Sequence, residues 1–348
     1  DLKHTTERAF GREGLGIVVV TGVPDISAPR RKLFALGQRF AKLPEATKVK
    51  CEHPESHFSF GWSHGRETLQ AGTPDLAKGS YYANPCHDAP FAHDPATIEA
   101  YPSFAHPNIW PDDGIDGGDD IIAAVGDGGG AAGGGGGGGG AVDGFSKEFK
   151  ALGQAVVRVG VLVARQCDKY VESLHPGGGY EAGKLERIVS SGRCHKGRLL
   201  HYFPRERGGG GDDGDDGGGG EHDSCEFSDW CGWHHDHIES SMITLLFPGL
   251  VVGMFLDDAG KEVENQDPDC GLFIRSRQGS IVKASLPEGE SPSTCLLFQI
   301  GETTQAHSGG ALQATPHAVR STRQPGVSRE AFAVFMQPEW GESMDVPR

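Results

Sequence analysis

Paired cysteines are missing from this sequence. Its eight Cys, at Cys51, Cys86, Cys167, Cys194, Cys225, Cys231, Cys270 and Cys295, form no Cys-x-x-Cys motif and no short-loop framework. That excludes a zinc ribbon and a small disulfide-stapled scaffold, and the expectation is reduced thiols in an intracellular protein. Long apolar runs are also missing. None approaches the length of about 18 residues that a membrane span requires, so no membrane partner is expected. Clustered Lys and Arg are lacking as well. With a net charge of −16, the chain has no basic stripe for neutralising phosphates, and no nucleic-acid partner is expected. No coiled-coil heptads or interface stripe occur, so a monomer is expected. The thiols place the chain in the cytoplasm as an expectation. Organellar targeting is left open because the sequence begins at Asp1 rather than Met.

Glycine, in contrast, is abundant and localised. Eight consecutive glycines begin at Gly133, inside a low-complexity stretch over 113–144. No Lys-Ser/Thr follows them, so this is no phosphate-binding loop but a flexible linker. A second tract, Gly208–Gly220, interleaves Asp212, Asp213, Asp215 and Asp216. It lacks the closing bidentate Glu of a calcium loop and reads as a solvated insertion. These tracts divide the chain into an N-terminal α/β region (1–112), the linker (113–144), a supporting helix (145–195) and a β-rich core (196–340) carrying the 208–220 insertion.

Leu15–Val23 reads as a buried strand ending in a glycine turn. Leu33, Phe34, Leu36, Phe40 and Leu43 then mark an amphipathic helix stopped by Pro44. Residues 53–112 read as loops and short elements with aromatic anchors. Phe145, Phe149, Leu152, Val156, Val159 and Leu162 predict a long helix running to about Leu174 that backs a sheet. From residue 196 the texture changes to short apolar runs between turns: Arg198–Phe203, Met242–Phe247, Val251–Leu256, Leu272–Arg275, Ser280–Lys283, Leu296–Ile300, Leu312–Arg320 and Ala331–Met336. Strands without alternating helices predict a mainly β fold with flanking helices, a sandwich or jelly-roll, and argue against a parallel doubly wound sheet.

The densest group of metal-capable side chains is Cys231-Gly-Trp-His-His-Asp-His-Ile-Glu239. On an extended strand, His234 and Asp236 face one way, and His317 in Thr315-Pro-His-Ala-Val319 is the best third ligand. Two His and one carboxylate leave open metal positions, which suits non-haem Fe(II) oxygen chemistry. The register has alternatives: His237 with Glu239, or His235 with His237. A solvated polar loop is the bland reading of the same residues.

The order of motifs resembles the Fe(II)- and 2-oxoglutarate-dependent dioxygenases of the isopenicillin-N-synthase-like superfamily. Leu15–Val23 and the Phe40-Ala-Lys-Leu-Pro-Glu-Ala-Thr-Lys48 segment resemble its N-terminal region. Trp233-His-His-Asp-His237 resembles its His-x-Asp motif. Gln299-Ile-Gly-Glu302, Ser308-Gly-Gly310 and Ala314-Thr-Pro-His-Ala-Val319 resemble three runs that keep their mutual spacing. Pro107-Asn-Ile-Trp-Pro111 is similar to a plant and algal branch. The resemblance implies a double-stranded β-helix (jelly-roll) core with Fe(II) on His234, Asp236 and His317. It implies 2-oxoglutarate and O2 as co-substrates and a small organic molecule that is hydroxylated or desaturated. It implies Arg329 as the partner of the far 2-oxoglutarate carboxylate, with Arg320 and Arg323 as weaker substitutes, and His201 and Tyr202 as its neighbours on an upstream strand.

Three departures stand out. The usual Arg-x-Ser is Arg329-Glu-Ala331, with Glu330 expected to face away by strand alternation. The usual Asn-Tyr-Tyr-Pro is His201-Tyr-Phe-Pro204, so Phe203 lacks a hydroxyl for which His201 compensates. His237-Ile-Glu-Ser follows the metal motif where a glycine-containing turn is usual. Trp233, Phe60 and Trp62 are candidate pocket walls, although packing is the commoner role of such aromatics. The altered co-substrate positions keep a second function class in view, a catalytically silent jelly-roll binding a small carboxylate or a protein partner. A zinc hydrolase on the same ligands is a third, without a recognisable acid–base residue.

Overall fold

The computed structural model describes residues 1–67, 74–112, 140–205, 246–339 and 341–347. Asp1 accepts a hydrogen bond from the Lys3 backbone and caps α1 (Leu2–Phe10). There follow β1 (Ile17–Val20), α2 (Ser27–Ala41), α3 (Glu45–Lys48), β2 (Gly61–His64), β3 (Lys78–Ala83), α4 (Pro95–Ala100), α5 (Pro102–Ala105), α6 (Phe145–Leu174) and α7 (Lys184–Ser191). The C-terminal half holds β4 (Lys196–Tyr202), β5 (Phe247–Leu256), β6 (Glu262–Val263), β7 (Gly271–Arg275), β8 (Ile281–Lys283), β9 (Leu296–Gln299), α8 (Glu302–His307), β10 (His317–Arg320) and β11 (Ser328–Met336).

The described strands form two antiparallel sheets. The larger runs β1-β9-β5-β11-β4-β3-β2, with β6 paired to β5; the smaller is β10-β7-β8. The mainly β, jelly-roll expectation is therefore borne out. All six cysteines among the described residues are free thiols. No helix among the described residues is long and apolar enough to cross a membrane.

α2 and α6 cover one face of the large sheet. Of the residues whose spacing predicted α6, Phe145, Phe149, Leu152 and Val156 are buried; the stripe then continues through Gly160 and Ala164, while Leu162 is exposed. Small residues set the approach: a Cβ on Gly160 would lie 2.3 Å from the Met336 sulfur, and one on Gly249 would lie 2.4 Å from Val156. Phe332 meets Phe149 edge-on at 4.9 Å.

Three departures from the expected strands have physical causes. The expected Met242–Phe247 and Val251–Leu256 runs belong to one strand, β5, as far as they are described. Leu312–Arg320 is a strand only from His317, because Leu312–Pro316 is tied to the N-terminal segment instead of a ladder. There the Gln313 N–H donates to Phe10 and the Thr315 hydroxyl to Leu15. Two unforeseen strands, β2 and β3, extend the sheet beyond β4; Trp62 lies so close over Gly79 that a Cβ there would meet its ring at 2.1 Å.

Candidate active site

The register of β11 against β4 decides which side chains meet. Arg329 pairs with Tyr202, Glu330 with His201 and Ala331 with Leu200. Directly paired residues share a face, and successive residues alternate. Leu199 approaches Gly37 of α2, and Gly197 approaches Phe149 of α6. Leu199, His201, Glu330 and Phe332 therefore face the helices. Arg198, Leu200, Tyr202, Arg329, Ala331 and Ala333 face the other way, toward the cleft.

On the cleft face, the Arg329 guanidinium lies 5.0 Å from the centre of the Tyr202 ring. Its Nη1 is buried with no hydrogen-bond partner among the described residues. Such a donor is costly unless an acceptor meets it, so the residues present fit a ligand carboxylate here. Cys270, just before β7, feels the Arg329 charge, which favours its thiolate against the larger opposing effect of burial. This brings the small sheet alongside Arg329.

His317 opens β10, paired with Ile274. Burial lowers its pKa, partly opposed by a backbone hydrogen bond at Thr315. A neutral imidazole with one nitrogen engaged by the backbone offers the other to a metal. His234, Asp236 and Trp233 lie outside the described residues, as do the alternative ligands His235, His237 and Glu239. Among the described residues, no group of three or more His, Cys, Asp or Glu could hold a metal.

His201 does not join Arg329. Its Nδ1–H donates to Glu330 Oε1 at 2.7 Å on the helix side of the sheet. Glu330 does turn away from Arg329, but into the interior rather than solvent, and is fully buried. It also accepts from Ser328 Oγ at 3.0 Å, and Ser328 is bonded by Gln38 of α2. A buried carboxylate needs partners, and His201 is one. The compensation expected of His201 therefore fails on geometry. Phe203 packs on His201 at 4.6 Å, and the phenol near Arg329 belongs to Tyr202. Arg323 is occupied elsewhere, bonding Asp267 and Asp269, and Arg320 Nη1 lies 3.9 Å from Asp269. Phe60 and Trp62 are core residues, 1% and 2% exposed, not cleft walls.

The alternation also carries Lys78, Ser80 and Tyr82 of β3 onto the cleft face. Arg198 bonds Ser80 Oγ and Glu67, and Tyr82 donates to Glu67 at 3.1 Å. Burial pushes the Glu67 carboxyl up, but Arg198 and Lys78 outweigh it and hold the pKa near about 2. Sequence reasoning missed this network because β3 lacks a clear apolar alternation.

Residues 3–113 match the family model described as the N-terminal region of non-haem dioxygenase in morphine synthesis. No curated protein sequence matches the chain. Solved structures do. A 2OG-Fe(II) oxygenase family protein from Caulobacter crescentus is 16% identical, with 99% of this chain and 86% of that one covered and a TM-score of 0.61. A Neurospora crassa protein solved with alpha-KG and thymine is 18% identical over 98% and 81% of the two chains, with a TM-score of 0.58. The dioxygenase for auxin oxidation in rice is 14% identical over 99% and 80%, with a TM-score of 0.51.

Proposed function

Because this chain has the fold of the 2-oxoglutarate- and Fe(II)-dependent oxygenases, we propose that it is such an enzyme, acting on a small organic substrate. His234, Asp236 and His317 would hold Fe(II), and Arg329 with Tyr202 would receive the far carboxylate of 2-oxoglutarate. The metal with its co-substrate and O2 would supply the oxidising chemistry, leading to hydroxylation or desaturation.

The chain's own residues have definite tasks. Arg329 offers a planar fork to a carboxylate, with Tyr202 beneath it to fix the plane. His317 supplies an uncharged imidazole. Leu200, Ala331 and Ala333 share the Arg329 face of the sheet and are apolar. The observation that carries this reading is the buried Nη1 of Arg329, unpartnered among the described residues, on the face that looks toward the small sheet.

Anaerobic titration of the protein with Fe(II) and 2-oxoglutarate tests it. The weak visible charge-transfer band of the chelate is expected in the wild type. It should vanish in His317→Ala, and in Arg329→Met it should need on the order of 100-fold more 2-oxoglutarate, as when one partner of a charged bidentate pair is removed. Ala331, where a hydroxyl would otherwise join Arg329, favours one other reading, a silent binding module. Stoichiometric iron without any band would select it.

A further inference from the structure

Behind Arg329, β5 carries an irregularity. Glu330 pairs with Met254 and Phe332 with Val251, so Val252 and Gly253 together oppose Ala331. This is a β-bulge, which turns carbonyls out of the ladder and bends the strand. The freed carbonyls are taken by one residue of α2. Arg30 Nε donates to the Val252 carbonyl at 2.9 Å and Nη2 to the Gly253 carbonyl at 2.8 Å. Its Nη1 lies 3.7 Å from Glu262 of β6. Arg30 is 2% exposed, and a buried guanidinium is tolerated only where its fixed fork is met so fully.

The opposite side of the same bulge supports Arg329. A Cβ on Gly253 would lie 3.1 Å from Arg329 Nε and 3.5 Å from Nη2. The bulge is thus held between two arginines, Arg30 behind and Arg329 in front. A one-residue slip of a strand exchanges its faces, so losing the bulge would bring a side chain under Arg329 where glycine now leaves room.

We propose that Arg30 is a positioning residue: by clamping the Val252–Gly253 bulge it keeps the space in which Arg329 reaches the co-substrate carboxylate. The inference rests on the reading of Arg329 given above. The test is calorimetric titration of 2-oxoglutarate into protein loaded with redox-inert Mn(II), with Mn(II) affinity and melting temperature measured in parallel. Arg30→Met should bind 2-oxoglutarate about tenfold more weakly with Mn(II) affinity unchanged, and Arg30→Lys should recover part of the loss. Gly253→Val, which leaves Arg30 in place, should weaken 2-oxoglutarate by about tenfold or more with Mn(II) affinity unchanged, and should lower the melting temperature because a Cβ there also meets the Glu330 carbonyl at 3.1 Å. Should Arg30→Met fail to fold, Gly253→Val and Arg30→Lys decide the matter. The clamp is overturned if these variants bind 2-oxoglutarate like the wild type while Arg329→Met has lost it. If Arg329→Met also binds normally, the reading of Arg329 is wrong and the clamp falls with it.

Discussion

The two sheets are held by different forces. The large sheet lies under α2 and α6, with Phe149, Phe332, Val334, Met336 and Leu199 almost wholly buried. Among the described residues, the small sheet, which carries His317, buries little beyond Ile274 and Ala318. Polar clamps do much of its fastening. The Arg323 backbone N–H and side chain bond Asp267, the same guanidinium reaches Asp269 at 2.5 Å, and Thr322 bonds Asn265. Apolar burial is indifferent to pH and weakly dependent on salt, whereas ionised clamps depend on both. The proposed co-substrate arginine therefore sits on the firm sheet, and a proposed metal ligand on the one that conditions can loosen.

The comparison is most sharply broken in the apolar layer. Phe332→Ala leaves a cavity against Phe149 and should cost about 3–5 kcal/mol of global stability, read by denaturant unfolding. A cost below about 1 kcal/mol would mean that the helices do not hold the large sheet.

A smaller effect is expected at Asp267. Burial raises its pKa, but the Arg323 side chain and the backbone N–H groups of Arg323 and Asp269 outweigh burial and hold it at about 2. An acid whose folded pKa is depressed contributes stability that is complete above its unfolded value, near 4, and is lost as pH falls toward 2. Unfolding followed from pH 6 to pH 2 should show a contribution of about 1–2 kcal/mol, reduced by solvent screening at the exposed Arg323, disappearing in that window. In Asp267→Asn it should be missing throughout. Hydrogen exchange should show β7 and β10 opening first, while β11 and β4 stay protected. Uniform opening would erase the distinction between the sheets.

The smallest effect is at Tyr202. Tyr202→Leu keeps the packing but removes the aromatic face under Arg329. The 2-oxoglutarate affinity should fall about fivefold, in line with roughly 1 kcal/mol for a partly buried cation–π contact. Unchanged affinity would leave Tyr202 a packing residue only.

How much of this was legible in the sequence follows the same divide. α6 was readable because one stripe of a long helix must be apolar to cover a sheet. β11 and β5 were readable as apolar runs. His317 could be singled out because it stands within a run of motifs whose spacing is kept, and Arg329 because it stands just before the apolar run Ala331-Phe-Ala-Val-Phe335. The register between β4 and β11 was not readable, since nothing local says whether residue 201 or 202 opposes Arg329, and that single step moved His201 to the wrong face. β2 and β3 escaped because they are held by pairing onto β4 rather than by their own pattern. Arg30 looked like one more basic residue on an amphipathic helix; only the bulge it faces gives it a role. The metal motif at His234 and Asp236 was the loudest signal in the sequence and lies outside the described residues.

The pairing of Ile17 with Gln299 has a consequence for the birth of the molecule. A ribosome that has just released β1 (Ile17–Val20) must go on to Leu296 before β9 begins to emerge, a delay on the order of tens of seconds. For that interval Ile17-Val-Val-Val20 is an aggregation-prone ribbon without its strand partner, with α1 as its neighbour. Factors that shield nascent chains, rather than the strand's own affinity for its partner, would govern how much of each synthesis ends as usable protein.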